Sequence, residues 1–257
     1  MVATRKVRYD VDGLTMVAHL ARPSGEGPWP AVLIGHDGIG LDDYQRRRAD
    51  DLAAHGYVAL AMDYHGGQLF FGRPDAMLAR VMPLIADAER MRAIGRAALD
   101  ALLAVPGVAP DRLAALGYGA GGSIVLEIAT SGVPFRAVAA VHPSLSVASE
   151  KDWTDVTGTL LLCTGSEDPL CTPDQVLALG RVLQDAGSIG ALMSTAGPST
   201  LSGPSRQTLT GRPWRGPVTP QPPCPASGIT QSTLRVHGER CSICSMRPLA
   251  PCPRWPE

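Results

Sequence analysis

Six residues, Gly117-Tyr118-Gly119-Ala120-Gly121-Gly122, are where residue type and spacing first point to chemistry. They follow a short apolar run, residues 112–117, and lead into a helical stretch, residues 121–130. The outer glycines fit G-x-Nu-x-G, in which a nucleophile sits on a strained strand-to-helix turn. The backbone N–H of the next residue then helps hold an oxyanion. That amide would belong to Ala120. The central residue is Gly119, which has no side chain with which to attack. A glycine-rich turn with no catalytic duty is the competing reading.

Two further loops bear on the choice. Asp168 lies in Gly165-Ser166-Glu167-Asp168-Pro169, past the apolar run TLLLC at 159–163. A carboxylate there can orient a histidine, although an Asp before Pro is also an ordinary turn residue. His36-Asp37-Gly38-Ile39-Gly40 follows the run AVLIG at 31–35, where such architectures supply a second oxyanion donor. Phe70, Phe71 and Arg73 could line a pocket, but packing residues and a solvated charge are the better reading.

The elements that must position these loops are legible through residue 187. Residues 7–11 and 14–21 flank Asp12-Gly13, a two-residue hairpin signal. The short apolar runs at 31–35, 57–62, 112–117, 137–141 and 159–163 predict buried strands. Helices are predicted over 44–55, ending at Gly56, over 86–104, and over 121–130. Another opens at Thr172-Pro173-Asp174-Gln175, with Thr172 as N-cap and Gln175 completing a capping box. Strands alternating with helices imply an α/β fold, a mostly parallel sheet with helices on both faces. Working residues then belong in loops at the carboxyl ends of the strands.

On the blocks "GHDGIGL", "RRRADDLAAHGYVALAMDYHGG", "ALGYGAGGSIVLEIA", "AVAAVHPSL" and "LLCTGSEDPLCTPDQ", the chain resembles the dienelactone hydrolase family of α/β hydrolases over roughly residues 5–187. The resemblance implies an ester or lactone hydrolase acting through an acyl-enzyme, without cofactor or metal. It puts the family's nucleophilic Cys on Gly119, its acid on Asp168, and its oxyanion-hole amides on Gly38 and Ala120. The Glu that contacts the resting nucleophile in the family falls on Asp37. Neither Cys163 nor Cys171 lies in an elbow, and Ser123, inside the helix, is read as a packing residue.

The family's catalytic His follows the last strand in a block like "YGG..HAF". Residues 190–205 contain no His, and the one in the tail, His237, sits in unpatterned sequence. Residues 188–257 differ in kind from the rest: seven Arg, no Lys, two acids (Glu239 and Glu257) and twelve of the 23 prolines. They carry a charge of +5 against −6 for residues 1–187. Composition alone makes this a Pro/Arg-rich, poorly ordered tail. The resemblance implies that it follows an α/β-hydrolase domain at 1–187 that lacks its last strand and C-terminal helix. A shifted reading frame is the expected origin of this tail, and the nucleotide sequence decides it. SIGALMSTAGPSTLSGP back-translates with ordinary GC-rich codons to DNA that, read one nucleotide earlier, encodes VDWRVNVYGGPKHAFRP. TQSTLRVHGERCSICSMRP can be the shifted image of HPEHAARAWRALFDLLDEA, an amphipathic helix. Cys241-x-x-Cys244 has no second pair and lies in that segment, so it is not read as a zinc or redox site.

The 257 residues, 45% hydrophobic, can bury a sizeable core, and the net charge of −1 argues against nucleic-acid binding by bulk charge. No apolar run approaches a membrane span and no signal peptide is evident, so a cytoplasmic protein is expected. The expected partner is a small-molecule ester, lactone or carboxylate, with no nucleic acid and no membrane. Three functions compete: a hydrolase, a non-catalytic small-ligand-binding relative, and a product of a damaged gene without function.

Overall fold

The computed structural model describes residues 1–145, 153–187 and 190–195. Contacts divide the chain into Met1–Gln207 and Thr208–Glu257; the second unit, with His237, Cys241 and Cys244, lies outside the described residues, and so does the expectation that the C-terminal helix is missing.

In chain order the elements are β1 (Val2–Val11), β2 (Leu14–Pro23), β3 (Trp29–Gly35), α1 (Asp43–Ala54), β4 (Val58–Met62), α2 (Pro74–Ile85) and α3 (Ala88–Leu103). They continue with β5 (Val108–Tyr118), α4 (Ala120–Ala129), β6 (Phe135–Val141), β7 (Thr159–Gly165), α5 (Pro173–Asp185) and β8 (Gly190–Thr195). The eight strands form one sheet in the order β1-β2-β4-β3-β5-β6-β7-β8. β1 and β2 pair antiparallel, as do β2 and β4; from β4 to β8 every pairing is parallel.

The local signals explain the elements. Asp12 (φ 52°) and Gly13 (φ 75°) make the turn of the β1–β2 hairpin, both in the left-handed region that such turns require. Asp42 caps α1 by accepting from the Tyr44 N–H at 2.9 Å. Thr172 and Gln175 close the predicted capping box on α5. The predicted helix over 86–104 starts two residues later than expected because Asp87 caps it, accepting from the Arg90 N–H.

The sheet corrects one expectation. The last strand is not missing: residues 190–195 pair with β7 from Leu160↔Gly190 to Gly165↔Thr195. The sheet thus runs past the boundary expected at residue 187. A parallel edge strand needs only a backbone free to pair along one side, and Gly190–Thr195 (GALMST) contains no proline to prevent it. The α2 helix, not predicted, opens on Pro74 at its first turn and contains Pro83.

The strands alternate side chains between two cores. On one face Leu33, Leu60, Leu113, Val138, Leu160 and Leu162 pack in a cluster that includes Ile94, Leu102, Ile124 and Leu179 from α3, α4 and α5. On the other face Val32, Ile34, Ala59 and Ala61 meet Ala49 and Ala53 of α1. No described helix is long and apolar enough to cross a membrane.

Candidate active site

Four parallel strands deliver the candidate residues to one end of the sheet. β3 ends at Gly35 and leads to Asp37 and Gly38; β5 ends at Tyr118, before Gly119 and Ala120. β6 leads into His142, and β7 into Asp168.

The turn between β5 and α4 is an elbow. Gly119 has φ 52° and ψ −122°, a conformation strained for any residue with a side chain. Its neighbours show why glycine recurs. A Cβ on Gly117 would lie 2.3 Å from the Gly121 carbonyl oxygen, and one on Gly121 would lie 2.3 Å from that of His36. The start of α4 is thereby pressed against β5 and the end of β3, and the Gly121 N–H donates to the His36 carbonyl at 3.0 Å. Position 119 is different. A Cβ there would meet only Cβ of Asp37 at 3.5 Å and its Cα at 3.8 Å, ordinary contact distances. The elbow therefore keeps its backbone shape and has room for a side chain that the sequence does not supply. Asp37 is the residue nearest to that space. One of its carboxylate oxygens accepts from the Ile39 N–H at 3.0 Å.

The loop carrying Asp37 and Gly38 rests on buried polar and aromatic side chains. His36 stacks on Tyr64 with ring centroids 3.7 Å apart, and the Tyr64 hydroxyl lies 2.7 Å from the His36 carbonyl oxygen. His65 is within 3.1 Å of the Gly38 carbonyl oxygen through Nε2. Burial, with the neighbouring His36, pushes the His65 imidazole down to about 3, so its ring is neutral. Burial raises Asp63, but His36, 3.9 Å away, and hydrogen bonds from the backbone N–H groups of Val17 and His65 outweigh it and leave the carboxyl below its ordinary range. Phe70 packs edge-on against His65 and is buried, Phe71 is exposed, and Arg73 stacks over Phe70.

Asp168 is buried, and its carboxylate accepts from the Leu170 N–H at 3.0 Å. Its other oxygen lies 3.1 Å from Nδ1 of His142. Sequence reasoning missed this pairing: His142 lies in the block AVAAVHPSL, 26 positions before Asp168. Ser123 does not substitute for a nucleophile. Its hydroxyl accepts from the Ser144 N–H at 2.9 Å and lies 3.2 Å from the Ser144 carbonyl, which ties α4 to the loop after β6. Burial pushes the thiols of Cys163 and Cys171 up, which disfavours thiolate at both. Tyr118 in the elbow is half-buried against Tyr44, and burial pushes its hydroxyl up to about 12. Among the described residues no three His, Cys, Asp or Glu side chains are grouped to hold a metal.

The dienelactone hydrolase family model matches residues 16–192, more than half of the chain. The chain belongs to the dienelactone hydrolase family. A probable 2-oxo-3-(5-oxofuran-2-ylidene)propanoate lactonase from Bradyrhizobium sp is 31% identical over 128 residues, covering 49% of this chain and 50% of that protein. The chain thus aligns with about half the length of this curated relative. Among solved structures, one described as "m3DLH" superposes with a TM-score of 0.71 at 30% identity, over 81% of this chain and 88% of that one. A dienelactone hydrolase-like promiscuous phosphotriesterase, P91, from metagenomic libraries superposes with a TM-score of 0.68 at 27% identity, over 76% and 82%. The family match ends inside β8, which agrees with that strand belonging to the sheet.

Proposed function

We propose that this chain is a member of the family whose acyl-enzyme route is closed: a site for a small ester, lactone or carboxylate without a nucleophile to attack it. The carrying observation is Gly119, held at φ 52° on an intact elbow with space where a thiol would sit. In this reading Asp168 is the triad acid, Gly38 and Ala120 provide the oxyanion amides, and Asp37 takes the family Glu position. The lactonase similarity supports a lactone or its ring-opened carboxylate as the ligand class. A fixed nucleophile reaches effective molarities of about 10⁵–10⁸ M, an advantage that a passing water forfeits.

Ligand-induced stabilisation tests binding. Millimolar γ-butyrolactone or benzoate is expected to raise the melting temperature of the chain, and Asp37→Ala to reduce the rise. No shift with a panel of lactones and carboxylates contradicts a retained binding site. A second reading, a gene product damaged by a shifted frame, is favoured by the family-like strand, His block and helix recoverable from residues 188–257 in one alternative frame. The coding DNA decides it: codons that cannot yield those strings remove that reading.

A further inference from the structure

We propose that His142, oriented by Asp168, is the proton acceptor of this site, standing where the chain lacks the family's late histidine block. The inference rests on reading Gly119 as the nucleophile position. Tyr118 and Val141 are register partners on parallel neighbouring strands, so Gly119 and His142 are the next residues on those two strands. Such strands lie roughly 4.8 Å apart. The Gly119 N–H donates to the Val141 carbonyl at 2.9 Å, joining the two turns directly.

The backbone of His142 is set with unusual force. Among the described residues only Asp12 and His142 are non-glycines with positive φ. Asp12 sits in a hairpin turn that requires it; His142, at φ 50°, does not. The segment is pinned at three points. The His142 N–H donates to Cys163 at 2.7 Å, the Ser144 N–H to Ser123 at 2.9 Å, and the Leu145 N–H to Leu170 at 2.9 Å. The strained turn aims the ring at Asp168. The acid's side chain is fully enclosed while the His142 side chain stays 30% exposed. A carboxylate accepts only, so the proton of this pair resides on Nδ1, and Nε2 keeps a lone pair. Among the described residues nothing bonds to Nε2.

With a thiol at position 119, the S–H proton passes to Nε2 and sulfur bonds to the ester carbonyl carbon. The carbonyl π pair moves to oxygen, facing the Ala120 N–H. Collapse breaks the bond to the alkoxy oxygen, which leaves with the proton from the imidazolium. Water then repeats the sequence on the thioester and frees the acid and the thiol. In the chain as it stands the base is present and its partner is not.

Gly119→Cys in the full chain is expected to release p-nitrophenolate from p-nitrophenyl acetate in a burst. Adding His142→Gln is expected to slow that acylation at least ~100-fold. A double variant as fast as the single one overturns the assignment, as does a folded single variant with no burst. A second measurement needs no change at position 119. Nitrogen NMR of the unsubstituted chain is expected to find the His142 proton on Nδ1, with the preference lost in Asp168→Ala. A proton on Nε2 overturns the proposal. Turnover by the unsubstituted chain would instead contradict the proposed function, so the two failures are distinguishable.

Discussion

The two faces of the sheet use the same strands and are covered unequally. On the face toward α3, α4 and α5, Leu113, Ala115, Val138, Ala140, Leu160 and Leu162 are all buried. On the opposite face the residues between them behave differently. Ala114, Leu116, Ala139, Val141, Leu161 and Cys163 are only half-buried, and Ala137 is exposed. Among the described residues the cluster on that side draws on one helix, α1, which packs over β2, β4 and β3. One face of the sheet is thus closed along its length, while the described cover of the other lies over β2, β4 and β3. The loops after β5, β6 and β7 hang on strands whose first face is finished and whose second face, among the described residues, has helical cover only toward β2, β4 and β3.

A frame-restored chain, carrying the amphipathic helix encoded one nucleotide earlier, breaks the asymmetry outright. Covering several half-buried aliphatic side chains is expected to add several kcal/mol, raising the melting temperature by roughly 10 °C or more and sharpening the transition. Equal midpoints and equal cooperativity for the two chains would refute this account of the exposed face. Point variants on adjacent residues of β7 sharpen it. Leu162→Ala, on the finished face, is expected to cost ~2–5 kcal/mol in denaturant unfolding, whereas Leu161→Ala, on the other, should cost under ~1.5 kcal/mol. Similar losses at both positions would mean that the two faces are equally packed.

The smallest effect lies beneath the loop that carries Asp37 and Gly38. His65 is neutral in the folded chain down to about pH 3, but in the unfolded chain it binds a proton below its ordinary value of 6.5. Its contribution is therefore complete above pH 6.5 and is lost as pH falls toward 3, by at most ~1.4 kcal/mol per pH unit. Melting curves between pH 7 and pH 5 should fall for the unsubstituted chain and flatten in His65→Gln. A parallel fall in both assigns the acid sensitivity to other groups.

Much of this was legible in the sequence because the deciding signals are local. Asp12-Gly13 forced a hairpin, Thr172 with Gln175 built a capping box, and Gly117 and Gly121 marked the close crossing at the elbow. What was not legible depends on partners far apart in the chain. The composition of residues 188–257 suggested a tail without structure, yet Gly190–Thr195 pairs with β7 because an edge strand draws on its neighbour's backbone rather than on its own apolar pattern. His142 lies in the block AVAAVHPSL but carried no sign of a partner, since its meaning comes from Asp168 and from the register of β5 with β6. The α2 helix was hidden by Pro74 and Pro83, residues that punctuate a sequence but are tolerated at this helix's start and on its exposed flank.

The central claim is that the elbow is complete in backbone and empty in side chain. Hydrolysis of p-nitrophenyl acetate by the unsubstituted chain and by Asp168→Asn tests it most directly. The account predicts that both follow the buffer rate without a burst. A burst or steady turnover by the unsubstituted chain that Asp168→Asn removes would show that attack begins somewhere other than Gly119, and would contradict it.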